Sequence, residues 1–124
     1  MALISAATAP QFSIPGVTFT GLASPSRGSS TTAVWKVSLA PGTVGETHQL
    51  SQEEIFVCVS GVASIRLGAE TLAFAAGDTL IVPPYTDFAL ENAGDVPFTA
   101  VAVFPIGGKA ILPGQPAFTP PWAV

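Results

Sequence analysis

The chain has one cysteine, one histidine and one methionine in 124 residues. A single thiol, Cys58, forms no internal disulfide and excludes a zinc site built from several cysteines. Charge is scarce too: Arg27, Lys36, Arg66 and Lys109 stand against eight carboxylates, for a net charge of -4. No basic stripe exists, which argues against a nucleic-acid partner. No apolar run approaches the roughly 20 residues of a membrane span, so no membrane partner is expected. The apolar residues 1–10 lack a basic n-region and a long h-region. A signal peptide is therefore not expected, and the cytoplasm is the expected compartment. No stretch carries a convincing 3.6-residue period, so almost no helix is expected.

What is present is turn chemistry and short apolar runs. Twelve glycines and twelve prolines punctuate the chain at even intervals, among them Pro15-Gly16, Pro41-Gly42, Gly61, Gly77, Pro83-Pro84 and Pro113-Gly114. Between them, runs rich in Val, Ile, Phe and Thr predict strands over 31–39, 55–60, 63–67, 70–74, 79–82, 88–92 and 98–104. Strands so spaced imply an all-β antiparallel sandwich or barrel. Residues 80–82 and 100–104 are apolar on both faces. One face lines the barrel; the other must leave water against a second sheet or another chain, so a homodimer through a sheet face is expected. The length fits one domain: an N-terminal arm over 1–27, a barrel over 28–112, and a Pro-rich C-terminal arm over 113–124 anchored by Phe118 and Trp122.

Two motifs sharpen the barrel. The stretch PGTVGETHQLSQEEIFVCVSG holds His48 and Glu54, with Gly61 closing it. The stretch GDTLIVPPYTDFALEN holds Gly77, Pro83, Tyr85, Phe88 and Asn92. In their spacing they resemble the two motifs of the cupin superfamily, G…H-x-H…E…G and G…P-x-G…H…N, across about 50 of the 124 residues. The resemblance implies a cupin-type antiparallel β-barrel, the double-stranded β-helix or jelly roll.

In metal-binding cupins the ligands are the two histidines and the glutamate of the first motif and the histidine of the second. Here Leu50 stands at the second histidine position and Phe88 at the third, while Tyr85 replaces the motif glycine. His48 and Glu54 remain as the metal-ligand candidates. Two ligands are fewer than the three a bound first-row ion generally needs, so the expectation is no cofactor or a weakly bound divalent metal ion. Slipping the register by one residue would turn Thr47 and Gln49 inward instead. His48 and Glu54 are also the candidate catalytic pair, a base and an acid for isomerisation, cyclisation or elimination on a small molecule. Period-2 alternation places Phe56, Cys58 and Ser60 on the face of Glu54. Leu50, Phe56, Cys58, Tyr85, Phe88 and Trp35 are the candidate substrate-binding residues, and they describe a site for an apolar or aromatic ligand. Glu46 and Asp87 are candidates for its rim. Three functional readings stay open: a metal-poor acid–base enzyme, a metal-dependent dioxygenase or isomerase with a non-standard ligand set, and a non-catalytic ligand-binding or regulatory barrel.

Overall fold

A computed structural model describes residues 2–124; Met1, the first residue of the expected N-terminal arm, lies outside the described residues. Eleven strands follow one another: β1 (Gln11–Ile14), β2 (Val17–Ala23), β3 (Thr32–Leu39), β4 (Gln49–Leu50), β5 (Glu54–Ser60), β6 (Val62–Leu67), β7 (Glu70–Ala75), β8 (Thr79–Val82), β9 (Phe88–Glu91), β10 (Phe98–Pro105) and β11 (Ala110–Ile111). Helical structure among the described residues amounts to three 3₁₀ turns of three residues each. One sheet has the order β1-β2-β3-β10-β5-β8, a second β7-β6-β9, and β4 pairs with β11. All pairings are antiparallel. Bridges Val44↔Glu91 and His48↔Phe88 lay the segment before β4 along β9, so it extends the smaller sheet.

The core follows from alternation along the strands. In β3 the residues Ala33, Trp35, Val37 and Leu39 are buried; in β10 they are Phe98, Ala100, Ala102 and Phe104. The register sets large against small: Trp35 faces Ala102 and Phe104 faces Ala33. Phe56 lies on the other side of Ala102, and Cys58 on the other side of Ala100. Alanines between bulky neighbours leave room for the rings to interdigitate, as close packing of a protein interior requires. Phe74, Phe88, Phe98, Phe104, Ile65 and Val82 are the largest fully buried apolar side chains. They fill the space between the sheets.

The outward residues of β3, β10, β5 and β8 are also mostly aliphatic. Ile81 pairs with Ile55, Ile55 with Val103 and Val103 with Val34; in the next row Val57 pairs with Val101, and Val101 with Lys36. Val57, Val59 and Ile81 are exposed. Lys36 is the only charged side chain on these outward positions.

The N-terminal stretch departs from the sequence expectation. Residues 1–27 read as an arm, but Gln11–Ile14 and Val17–Ala23 form a hairpin that continues the larger sheet. Its turn is Pro15-Gly16 with Gly16 at φ +77, a backbone region glycine enters without steric cost. The alternation is present in Phe12, Ile14, Val17 and Phe19, but the runs are short and broken by Thr and Ser. Only the partner β3 makes them strands. At the other end, Phe118 exchanges two backbone hydrogen bonds with Ala110, at 2.8 and 3.0 Å. Trp122 stacks on Phe19 with ring centroids 3.6 Å apart and meets Trp35 edge-on at 6.3 Å.

The motif glycine Gly61 has a specific cause. At φ +79 it turns β5 into β6, and a Cβ there would collide with the Pro97 carbonyl. Asn92, buried, ties the far end of β9 by donating from Nδ2 to the Leu39 and Val96 carbonyls at 3.0 and 2.9 Å.

Candidate functional site

His48, just before β4, is held by its backbone against Phe88 of β9. It donates its N–H to the Phe88 carbonyl at 3.1 Å and accepts from the Phe88 N–H at 3.0 Å. Leu50, two residues on, is buried to 3% exposure. Leu50 therefore faces inward, while His48 is half-buried, as are Thr47 and Gln49 beside it. The imidazole lies against the Phe88 ring, centroids 4.3 Å apart. Its Nδ1 is 2.9 Å from the Glu46 carbonyl oxygen. A carbonyl only accepts, so Nδ1 carries the proton and Nε2 the lone pair. Burial lowers the His48 pKa, and the hydrogen bond and charge of Glu46 oppose that only in part. The ring is neutral near pH 7.

Glu54 opens β5 opposite Val82 and is 3% exposed. No side chain among the described residues hydrogen-bonds its carboxyl. Desolvation pushes its pKa up to about 8, so at neutral pH it is mostly a carboxylic acid. The sequence suggested a shared hydrogen bond between His48 and Glu54. The structure does not make it: the imidazole spends its N–H on Glu46, and nothing offsets the burial of Glu54. Phe88 packs beside the imidazole. It contacts His48 on one side and Phe56 at 6.0 Å on the other, placing a ring where the motif would carry a third polar group.

The other candidates separate into two environments. Trp35, Phe56, Cys58, Leu50 and Phe88 are buried in the packed interior. Ser60, expected on the face of Glu54, is exposed at the strand end. The Cys58 thiol has its pKa raised by burial and donates weakly to the Ser60 and Gly61 carbonyls at 3.6 Å. Tyr85 is at the surface, 65% exposed, and donates its N–H to the Leu50 carbonyl at 2.8 Å. It is the only non-glycine residue at positive φ among the described residues, at +56. The backbone thus keeps the shape of the motif glycine although the residue has changed.

A cleft of about 650 Å3 opens beside His48. One wall is Thr47, His48, Gln49 and Asp87; the other is the segment 111–116. The pairing of Ile111 with Gln49 aligns the two walls. The second wall then bends at Pro113-Gly114, closed by Gln115 N–H to the Leu112 carbonyl at 3.2 Å. Gln49 Nε2 donates to Asp87 Oδ1 at 2.8 Å. The Pro-Gly turn is visible in the sequence, and Asp87, a candidate for the barrel rim, lies on the wall of this cleft. Sequence reasoning did not bring the turn to His48, because the two lie more than sixty residues apart and meet only through β4 and β11.

The residues do not fit a tightly held divalent ion. Two ligand positions of the motif are buried hydrocarbon, and no group of three His, Cys, Asp or Glu side chains converges among the described residues.

The family model for the cupin domain matches residues 35–104, more than half of the chain. The chain belongs to the cupin family. Its jelly-roll barrel is that of the cupins. The cupin is similar to the polyketide cyclase RemF from Streptomyces resistomycificus, with a TM-score of 0.81 and 11% identity over 94% of this chain and 87% of that one. It is similar to KdgF from Halomonas sp., with a TM-score of 0.73 and 18% identity over 85% and 93% of the two chains. These likenesses are of fold. A curated relative, the 1-hydroxy-2-naphthoate 1,2-dioxygenase of Nocardioides sp. (strain KP7), is 32% identical over 62 residues, 50% of this cupin. The cupin spans 16% of that relative's length. No helix among the described residues is long and apolar enough to cross a membrane.

Proposed function

We propose that this cupin binds an apolar or aromatic small molecule at the cleft beside His48, and that His48 acts on it as a general base. The observation that carries the reading is the fixed tautomer: Nδ1–H is spent on the Glu46 carbonyl, so Nε2 is the basic atom of a neutral ring that lines the cleft. The apolar wall of Ile111, Leu112, Pro113 and Pro116 suits a hydrocarbon body. The interior between the sheets is filled by phenylalanines, which favours the mouth over the barrel axis as the ligand's place. The chemistry is proton transfer. A C–H bond next to a carbonyl breaks, its proton goes to Nε2 and the electron pair stays as an enolate. Return of the proton to another carbon completes an isomerisation with no net oxidant or reductant. Glu54 stays in the interior as a buried, neutral acid.

Deuterium exchange into 2-tetralone, an aryl-fused ketone with acidic C–H bonds, tests this in D₂O by proton NMR. The expected result is acceleration by the wild type and a loss of about 10²-fold or more in His48→Gln, with the circular dichroism spectrum unchanged. Equal rates for the two proteins would remove His48 from the chemistry. Binding of the ketone without any acceleration would leave a non-catalytic ligand-binding barrel.

The expected homodimer belongs to the same proposal, with a second copy on the outer face of the larger sheet. That face spans roughly 29 by 23 Å, or roughly 650 Å2, from the spacing of six strands and the rise of seven residues. A specific interface covers roughly 600–1,000 Å2 per partner.

A further inference from the structure

The wall of the cleft across from His48 carries hydrogen-bond donors that nothing in the chain uses. Leu112, Pro113, Gly114 and Gln115 form a turn with proline second and glycine third, Gly114 at φ +71. The Gln115 N–H closes it on the Leu112 carbonyl at 3.2 Å, the type II pattern. That bond leaves the Gly114 N–H without a partner among the described residues. The Gln115 carboxamide has none either, and both residues line the cleft. The gap between the walls has a local cause. Ser51 donates its N–H to the Lys109 carbonyl at 2.9 Å, and Gln49 pairs with Ile111. The same register would next pair Thr47 with Pro113, which has no N–H to give. Pairing stops there, and the chain turns away and opens the space.

We infer that this turn is the oxygen-binding half of the site: the Gly114 N–H and the Gln115 carboxamide donate to a substrate carbonyl while His48 Nε2 takes the neighbouring C–H proton. The inference rests on the reading of the cleft as the ligand site and His48 as its base, and it narrows the substrate class to neutral ketones on an apolar body. As the C–H bond breaks, the proton goes to Nε2 and the electron pair spreads onto the oxygen as an enolate. Return of a proton from Nε2 to carbon restores the carbonyl. Hydrogen bonds to a charged acceptor are stronger than those to a neutral one. Donors placed at this oxygen therefore favour the transition state over the bound ketone. No lysine or arginine lines the cleft, so neutral donors must carry this role. The Gln49 amide is a poorer choice, because it is held at 2.8 Å on the Asp87 carboxylate, whose charge opposes an enolate beside it.

Exchange of 2-tetralone in D₂O tests the turn when kcat and KM are read separately. Gln115 is exposed, so replacing it leaves the barrel packing alone, and circular dichroism should not change. Gln115→Leu is expected to lose about tenfold or more in kcat, with KM changed less than about threefold. Gln115→Glu keeps the shape of the side chain and should fall at least as far, since its carboxylate repels the enolate. Wild-type kcat in either variant overturns the inference, as does a rise in KM alone. A loss in Thr47→Val as large as that in Gln115→Leu would put the oxygen on the wall of His48 and overturn it too. Each of these outcomes leaves His48 as the base, provided the wild type outpaces His48→Gln. Equal rates for those two proteins remove that reading and the inference with it.

Discussion

His48 and Phe88 form a hydrogen-bonded pair on neighbouring strands, exchanging N–H and carbonyl at 3.1 and 3.0 Å while their rings lie 4.3 Å apart. The motif would place two imidazoles side by side at this pair. With phenylalanine there, the same backbone geometry gives an apolar contact instead. The ring packs against His48, whose pKa is lowered by burial.

Restoring the missing ligands should therefore restore a metal site. The double variant Leu50→His, Phe88→His puts imidazoles at both empty motif positions beside His48 and Glu54. After dialysis against micromolar nickel, elemental analysis is expected to find about one equivalent in the variant and less than about a tenth in the wild type. Stoichiometric metal in the wild type would mean that donors outside the motif complete a site.

Glu54 makes stability fall as pH rises. Its pKa is raised from 4.5 to about 8, so between those values the native chain holds a proton that the unfolded chain has released. The contribution is fully present below pH 4.5 and is lost on the way up to about 8, at roughly 1.4 kcal/mol per unit at most. His48, with its pKa lowered, acts with the opposite sign, and its contribution is lost as pH falls below 6.5. Urea denaturation of Glu54→Gln from pH 5 to 8 should show a flatter profile and higher stability at pH 8. A parallel profile would mean that Glu54 is ionised in the native barrel.

Tyr85 sits in a left-handed backbone conformation at φ +56, which costs an L-residue roughly 1–2 kcal/mol. Its side chain is largely exposed, so little packing opposes a replacement. Tyr85→Gly is expected to gain about 0.5–1 kcal/mol in urea denaturation, the relief being partly offset by glycine's greater unfolded entropy. A loss of stability would show that the ring packs on the barrel. Weaker binding of 2-tetralone in this variant would place the Tyr85 ring against the ligand.

The outer sheet face supplies the test of assembly. Val57→Lys combined with Ile81→Lys puts two charges among aliphatic neighbours without touching the interior, since both side chains point outward and are exposed. Light scattering after size exclusion should give a dimer for the wild type and a monomer for the variant. A monomeric wild type at about 100 µM would end the dimer proposal, since standard-size interfaces usually hold at that concentration.

Much of the barrel was legible because strand alternation is local. The buried residues Trp35, Val37 and Leu39 and the buried Glu54, Phe56 and Cys58 fall at every second position, and period 2 alone assigns each set to one face. The hairpin of β1 and β2 was not legible. Its runs are short, and the pairing with β3 that makes them strands is a tertiary fact. In the site, the loss of two ligands was readable from residue identity, and Leu50 is buried as hydrocarbon. The partner of the imidazole was not.

By itself, then, the sequence determined a cupin barrel, the donors available to its site, and the hydrocarbon at positions 50 and 88. These are matters of residue identity and of spacing along one strand or turn. Only the tertiary structure decided that His48 binds the Glu46 carbonyl rather than Glu54, and that Phe88 stands between His48 and the interior. It also brought the turn at Pro113-Gly114 beside the histidine as a cleft wall. The places of Phe88 and of the turn depend on how strands distant in sequence come into register, and periodicity within a strand carries no information about its neighbour. The Glu46 contact is local, two residues from His48, and depends on the backbone conformation before β4.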